Sequence, residues 1–230
     1  MPTILLIRHG ESQSNAGLPT SNPKSVELTE LGKEQAQNVA DFLKSQFHPD
    51  LIVTSAYERT KQTALPTKST FRHIFEEEWP IHEFTYLSSW HKAPSTVEDR
   101  REYVRQYWEF SDPTFRDAPV SEPESESKSE SFEQFITRVQ AVMARLKNTP
   151  YDTVAVFSHQ QFISALLWLS QQNRLKLCPD TMRKFKEFLA LHPMPNGGIV
   201  QVQFKDRNDK WQIKPIFSQL KPLEPALTRK

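Results

Sequence analysis

Two arginines and two histidines in this sequence have the chemistry needed to bind and transfer a phosphoryl group. They are Arg8, His9, Arg59 and His159. Guanidinium groups bind phosphate oxygens through paired hydrogen bonds and stay charged at physiological pH, so both arginines would neutralise a phosphoryl group. A histidine nitrogen can then attack phosphorus, which divides one difficult transfer into two easier steps. Because the arginines already supply positive charge, this chemistry requires no metal ion.

These four residues follow three predicted strands. The apolar runs 4–7, 51–53 and 154–157 lack polar alternation, which is typical of strands covered on both faces of a parallel sheet. Helix-like sequence follows each run, at 58–65 after the second, so the pattern predicts an α/β fold: a three-layer α/β/α sandwich around a mostly parallel sheet with inserted cap-like segments. Ligands bind beyond the carboxyl ends of such strands, and we therefore expect the four residues to meet at one edge.

The same chain carries a set of ordered motifs. The motifs are LIRHGES at 6–12 followed by Asn15, LTELG at 28–32, SAYERT at 55–60 with QTA at 62–64, and the pair Ser158-His159. In this order they resemble the histidine phosphatase superfamily, in its phosphoglycerate mutase-like branch. The resemblance covers roughly the first two thirds of the chain, and four ordered segments are far more specific than a lone Arg-His-Gly.

The resemblance implies a role for each matching residue. It makes His9 the nucleophile and places Arg8, Arg59 and His159 around the phosphate, with Asn15 as a further phosphate contact. The general acid of the family is a carboxylate after a later strand, and Glu83 is the best match. Its apolar neighbours would partly desolvate it and raise its pKa, which suits an acid, whereas the triplet 76–78 is typical of a solvated face.

The sequence departs from the family pattern in two places. Many members have glycine after the second catalytic histidine, whereas Gln160 stands here and offers its backbone N–H to the substrate. The segment 85–90 also lacks the Gly- and Trp-containing sequence typical of mutases after the acid. The second departure favours hydrolysis over return of the phosphoryl group.

Composition excludes several other classes of protein. With 29 basic and 28 acidic residues there is no global charge to indicate nucleic acid binding, and no apolar run is long enough to span a membrane. The single cysteine, Cys178, fits a reducing compartment, so we expect a cytoplasmic protein. The five glycines form no nucleotide-binding loop and the other histidines have no metal-ligand spacing. We expect neither a cofactor nor a metal.

We interpret residues 1–221 as one domain and 222–230 as a poorly ordered tail. The segments 85–131 and 171–195 are predicted to flank the site as insertions, and the Ser- and Glu-rich stretch 121–131 is expected to be mobile. Segments 198–204 and 211–216 predict a late antiparallel hairpin. An aromatic cluster fits packing of an amphipathic helix better than a substrate mouth; it comprises Tyr103, Tyr107, Trp108 and Phe110.

The leading hypothesis is a phosphatase that hydrolyses phosphomonoesters through a phosphohistidine intermediate. The expected substrate is a phosphorylated small molecule, with a phosphoprotein as the alternative. A phosphoglycerate-type mutase and a non-catalytic protein that binds phosphorylated ligands remain alternative functions. The sequence indicates neither the substrate nor the oligomeric state.

Overall fold

A computed structural model describes residues 2–88, 94–117, 129–172, 174–204 and 211–216. These residues form six strands and six helices. The strands are β1 (Thr3–Arg8), β2 (Leu51–Thr54), β3 (Phe75–Glu78), β4 (Thr153–Ser158), β5 (Ile199–Phe204) and β6 (Trp211–Ile216). The helices are α1 (Glu30–Gln46), α2 (Glu58–Thr70), α3 (Val97–Phe110), α4 (Phe132–Lys147), α5 (Gln160–Leu169) and α6 (Pro179–Leu191).

All six strands belong to one sheet in the order β3-β2-β4-β1-β5-β6. The first four strands in this order pair in parallel, and β5 and β6 join as an antiparallel hairpin. The central strands β2, β4 and β1 are therefore neighbours, and their carboxyl ends lie at the same edge. The predicted hairpin forms between the expected segments.

The sheet buries both of its faces. Alternate residues of a strand point to opposite faces, and in β1 this sends Ile4 and Leu6 into one core and Leu5 and Ile7 into the other. The first core is completed by α3, α4, α5 and α6, and the second by α1 and α2. The predicted three-layer α/β/α sandwich is confirmed, and the continuous apolar runs follow from this burial on both faces.

Local signals set the start of the longest helices. The Thr29 hydroxyl accepts a hydrogen bond from the N–H of Gly32 at 3.1 Å at the start of α1. Ser131 and Gln134 form a capping box at the start of α4, in which each side chain accepts from the other residue's backbone N–H, at 3.1 and 2.9 Å. These bonds satisfy backbone donors that a helix start would otherwise leave without a partner.

The structure corrects two details of the sequence interpretation. Residues 76–78 are largely exposed to solvent as expected, but with Phe75 they also make the edge strand β3, which the sequence did not predict. Charged side chains are common on such edges, where they discourage pairing with another chain. The helix predicted over 58–65 continues to Thr70, with Pro66 inside it.

The aromatic cluster divides between the core and the surface. Tyr107 and Trp108 of α3 are buried in the core, while Tyr103 and Phe110 are exposed. Packing thus explains half of the cluster, and Trp108 also lines the cavity described below. Part of the Ser- and Glu-rich stretch, 121–128, lies outside the described residues, as does the tail 222–230. Among the described helices, none is long and apolar enough to cross a bilayer.

Candidate active site

Arg59 joins the two histidines that the sequence places at separate strand ends. Its Nε donates to Nε2 of His9 at 3.1 Å, and its Nη2 donates to Nδ1 of His159 at 3.0 Å. The two imidazole rings lie edge to face with their centroids 5.1 Å apart. The loops after β1, β2 and β4 therefore meet at one point, as expected for loops that follow the carboxyl ends of neighbouring parallel strands.

Hydrogen bonds fix the tautomer of His9. A guanidinium has no acceptor, so Nε2 of His9 must accept from Arg59 through its lone pair. The ring proton then sits on Nδ1, which donates to the carbonyl oxygen of Gly10 at 2.7 Å. Burial, followed by the charges of Arg59 and Arg8, holds the pKa of His9 well below its usual value. His9 is thus a neutral imidazole whose unprotonated nitrogen faces the arginine.

The backbone around His9 depends on close packing against the start of α1. A Cβ added at Gly10 would lie 2.4 Å from the carbonyl oxygen of Gly32, so only glycine fits. The N–H of Gly10 donates to the Thr63 hydroxyl at 3.0 Å, which ties the loop to α2. These contacts hold the carbonyl that sets the His9 tautomer.

The two arginines are buried cations with different anchors. Nη1 of Arg59 donates to the carbonyl oxygen of Pro23 at 2.7 Å, and burial lowers its pKa to about 10, so it stays charged at neutral pH. Nη1 of Arg8 donates to the carbonyl oxygen of Met194. The buried Nε of Arg8 has no hydrogen-bond partner among the described residues. Such a donor is costly to leave unpaired.

Glu83 lies in the same cavity at the start of α5. Its Oε1 accepts from the backbone N–H groups of Gln161, Phe162 and Phe84 at 3.0, 3.3 and 3.2 Å. Burial raises the pKa of Glu83, although the charges of Arg59 and Arg8 oppose that rise. Because three donors occupy Oε1, the proton of the neutral acid belongs on Oε2.

The neighbouring carboxylates lie elsewhere. Glu76 and Glu78 of β3 pair with Lys68 and Lys61 of α2, and Glu77 pairs with Arg145 of α4. None of these three glutamates lines the cavity that holds His9, whereas Glu83 does. Position in the fold therefore separates Glu83 from the carboxylates nearest to it in sequence.

Asn15 and Gln160 also line this cavity. Oδ1 of Asn15 accepts from the Ser12 hydroxyl at 3.0 Å and from Nδ2 of Asn196 at 3.1 Å. The amide is oriented by these bonds, so its own NH₂ group is the part available to a ligand. Gln160 is the first residue of α5, where backbone N–H groups of a helix start favour an anion.

The cavity has a volume of about 500 Å³ and two chemically different ends. The phosphate end, as we name it, comprises Arg8, His9, Asn15, Arg59, Glu83 and Gln160, beside the buried His159. The distal wall comes from α3 and α6 and comprises Val97, Arg100, Val104, Trp108, Lys186, Leu189 and Ala190. Both segments expected to flank the site thus contribute residues to it. Within the described ranges, no group of three or more His, Cys, Asp or Glu side chains is arranged to hold a metal ion.

Comparison with known proteins agrees with this architecture. The family model described as "Histidine phosphatase superfamily (branch 1)" matches residues 4–213. The chain belongs to the histidine phosphatase superfamily. The predicted resemblance is therefore confirmed, over more of the chain than its motifs cover.

Relatives within the histidine phosphatase superfamily include phosphatases and mutases. The chain is 30% identical over 170 residues to the adenosylcobalamin/alpha-ribazole phosphatase of Escherichia coli K12, covering 71% of this chain and 76% of that protein. It is 24% identical over 188 residues to a 2,3-bisphosphoglycerate-dependent phosphoglycerate mutase of Corynebacterium diphtheriae, covering 71% and 75% of the two proteins. The structure of a phosphoserine phosphatase variant from Entamoeba histolytica shares the fold, with a TM-score of 0.66, 20% identity and coverage of 97% and 100%.

Sequence reasoning missed two groups at the site of this superfamily member. Nδ2 of Asn196, in the turn before β5, donates to the carbonyl oxygen of His9 at 3.0 Å. The hydroxyl of Ser55 lies 2.8 Å from Nε2 of His159. The turn-forming sequence Pro-Asn-Gly-Gly at 195–198 and the SAYERT motif mark their positions, but neither pattern indicates these partners.

Proposed function

We propose that this protein is a metal-independent phosphatase that hydrolyses phosphomonoesters through a phosphohistidine on His9. The observation that carries the proposal is the neutral His9 ring, whose Nε2 lone pair faces a buried guanidinium. A phosphoryl group that replaces this contact would meet a nucleophilic nitrogen and two positive charges together. Its substrate would be a phosphorylated small molecule, which the activities named for its relatives also favour.

The first half of the reaction transfers the phosphoryl group to the protein. Arg59 leaves the imidazole nitrogens and, with Arg8, binds the phosphoryl oxygens. Nε2 of His9 forms a bond to phosphorus while the ester P–O bond breaks. The Glu83 carboxyl gives its proton to the departing oxygen, a role that its raised pKa supports. The bond from Nδ1–H of His9 to Gly10 stabilises the positive charge on the phosphorylated ring.

The second half returns the protein to its starting state. The Glu83 carboxylate takes a proton from water, the water oxygen attacks phosphorus, and the P–N bond breaks. Inorganic phosphate leaves, His9 is neutral again, and Glu83 has regained its proton. One carboxyl group thus serves as acid and then as base, and the protons balance over the cycle.

Rapid mixing with a ³²P-labelled phosphomonoester, followed by an alkaline denaturing quench, tests this mechanism. We expect label on the wild-type protein that is lost in acid, as phosphohistidine is. His9→Ala should lose the label and at least about 10³-fold of kcat. His48→Ala, which changes an exposed histidine away from the cavity, should retain both. Full turnover by His9→Ala would exclude the mechanism.

A mutase is the second candidate, since a phosphoglycerate mutase is among the relatives. Both activities begin with the same phosphohistidine, but they differ in the acceptor of the phosphoryl group. Release of inorganic phosphate without an isomerised product would support the phosphatase. Return of the label to glycerate would support the mutase, and binding of phosphate without any turnover would leave only a binding role.

A further inference from the structure

Two buried hydroxyl groups form a directed chain of hydrogen bonds behind His159. Ser55 and Thr60 are wholly buried, as is His159. The Ser55 oxygen lies 2.8 Å from Nε2 of His159 and 2.9 Å from the Thr60 oxygen. The Thr60 oxygen in turn lies 2.7 Å from the carbonyl oxygen of Tyr57. Ser55 and Thr60 take no part in the proposed chemistry of His9.

Each hydroxyl has one proton, and this fixes the direction of every bond. A carbonyl oxygen cannot donate, so the Thr60 hydroxyl donates to Tyr57. Thr60 must then accept from Ser55, whose single proton is used in that bond. The Ser55 oxygen is left as an acceptor, and the Tyr57 N–H already donates to it at 3.1 Å. Nε2 of His159 is therefore the nitrogen that carries a proton.

The other side of the ring requires the same tautomer independently. Nη2 of Arg59 can only donate, so Nδ1 of His159 must accept at 3.0 Å. Burial, and then the charge of Arg59, keep the pKa of His159 well below its usual value, so the free ring is neutral. A neutral ring with a lone pair on Nδ1 has its proton on Nε2.

We propose that Ser55 and Thr60 are positioning residues that hold His159 as the Nε2–H tautomer, with Nδ1 directed toward the phosphate end. This inference rests on the proposed function, because the tautomer matters only if a phosphoryl group enters there. The monoanion of a phosphomonoester can pass its proton to Nδ1: the phosphoryl O–H bond breaks and an N–H bond forms. The resulting imidazolium donates from Nδ1 to the phosphoryl oxygen and from Nε2 to Ser55.

Removal of the Thr60 hydroxyl, at the far end of this hydrogen-bond chain, should weaken the preference for the Nε2–H tautomer. In Thr60→Val the shape is nearly conserved, but Ser55 loses its acceptor. Since the Tyr57 N–H still donates to Ser55, the Ser55 proton would turn toward Nε2 of His159. The Ser55 proton would then oppose the Nε2 proton while Arg59 still requires a lone pair on Nδ1, so the preference for Nε2–H weakens and part of the population would carry the ring proton on Nδ1. The His159 imidazolium, which should donate from Nδ1 to the phosphoryl oxygen, would then form less readily.

Two-bond ¹H–¹⁵N NMR spectra of the imidazole nitrogens, with His159→Gln for assignment, test the proposal in the free protein. Wild type should show a protonated Nε2 and an unprotonated Nδ1, and Thr60→Val should show a measurable population protonated on Nδ1. We expect kcat of Thr60→Val to fall about 10- to 100-fold, as for other residues that orient a functional histidine. Thr60→Ser keeps the hydroxyl and should restore both the tautomer and the rate.

Thr67→Val is a matched control on the same helix. Thr67 is also wholly buried, but its hydroxyl has no hydrogen-bond partner among the described residues. Its removal should leave the His159 spectrum unchanged and kcat within about twofold. An Nδ1–H tautomer in wild type would overturn the proposal without any variant, and so would an unchanged tautomer in folded Thr60→Val. Absence of all turnover in wild type would refute the proposed function, while the spectra would still decide the tautomer.

Discussion

The two ends of the cavity differ in how their side chains are held. At the phosphate end, Arg59 is buried and bonded to three partners: His9, His159 and Pro23. On the distal wall, Arg100 and Trp108 are buried, but Lys186 is exposed and Val104 and Leu189 are half-buried. The first group stands at the ends of central strands, and the second on helices at the periphery. We therefore expect the buried, hydrogen-bonded side chains to carry the proposed chemistry and the more exposed part of the distal wall to influence which substrate binds.

The largest effect should come from the acid at the phosphate end. Glu83→Gln keeps the shape but removes the proton donor, and we expect kcat/KM for alkyl phosphates to fall about 10²- to 10⁴-fold. Burial raises the folded-state pKa of Glu83, so the protonated form persists to higher pH than for an ordinary glutamate. Wild-type kcat/KM should decline as pH rises through that raised pKa, and Glu83→Gln should lose this decline.

Leaving-group dependence provides the control for that variant. p-Nitrophenyl phosphate has a leaving group that is stable as an anion, so its hydrolysis should suffer much less in Glu83→Gln. Glu77→Gln, on the edge strand β3, should leave both substrates unaffected. Equal losses for both leaving groups would contradict the assignment of Glu83 as the acid.

A second prediction concerns the bridge between the histidines. Lysine cannot reproduce the planar fork with which Arg59 reaches both imidazoles. We expect Arg59→Lys to lower kcat/KM about 10²- to 10³-fold for every phosphomonoester alike. Arg105→Lys, on the exposed face of α3, is the matched control and should have no effect. A loss of kcat/KM confined to some substrates would mean that Arg59 contributes to substrate choice, which would contradict the distinction between the two ends.

The smallest effect is expected on the distal wall. Lys186→Met should change kcat/KM about fivefold, and only for substrates with charge beyond the ester, because an exposed charge contributes about 1 kcal/mol. Lys184, two residues away on α6, pairs with Asp180 and does not line the cavity, so Lys184→Met is the control. Steady-state rates with p-nitrophenyl phosphate should be unchanged in both variants. An equal loss of kcat/KM for all substrates in Lys186→Met would mean that Lys186 acts with the residues of the phosphate end.

Much of the fold could be predicted because its signals are local. The apolar runs of β1, β2 and β4 show burial on both faces, and the capping pair Ser131 and Gln134 marks the start of α4. The strand β3 escaped prediction because its residues are mostly acidic. A short edge strand has little apolar pattern, since one side of it faces solvent.

The candidate site was likewise predictable where its signals are local and unpredictable where they are not. Arg8, His9, Arg59 and His159 were recognisable because their types and their places after strands are properties of the sequence. Asn196 was not, because its partner His9 lies 187 positions away along the chain. Hydrogen bonds of this kind exist only once distant loops have been brought together.

The sequence by itself determined which chemical groups this protein possesses and the strand ends from which they come. The tertiary structure decided which nitrogen of each histidine is free and which glutamate lies in the cavity. The physical reason is that a tautomer depends on the partners of both ring nitrogens, and a raised pKa depends on burial. For His159 those partners are Arg59 and Ser55, 100 and 104 positions away.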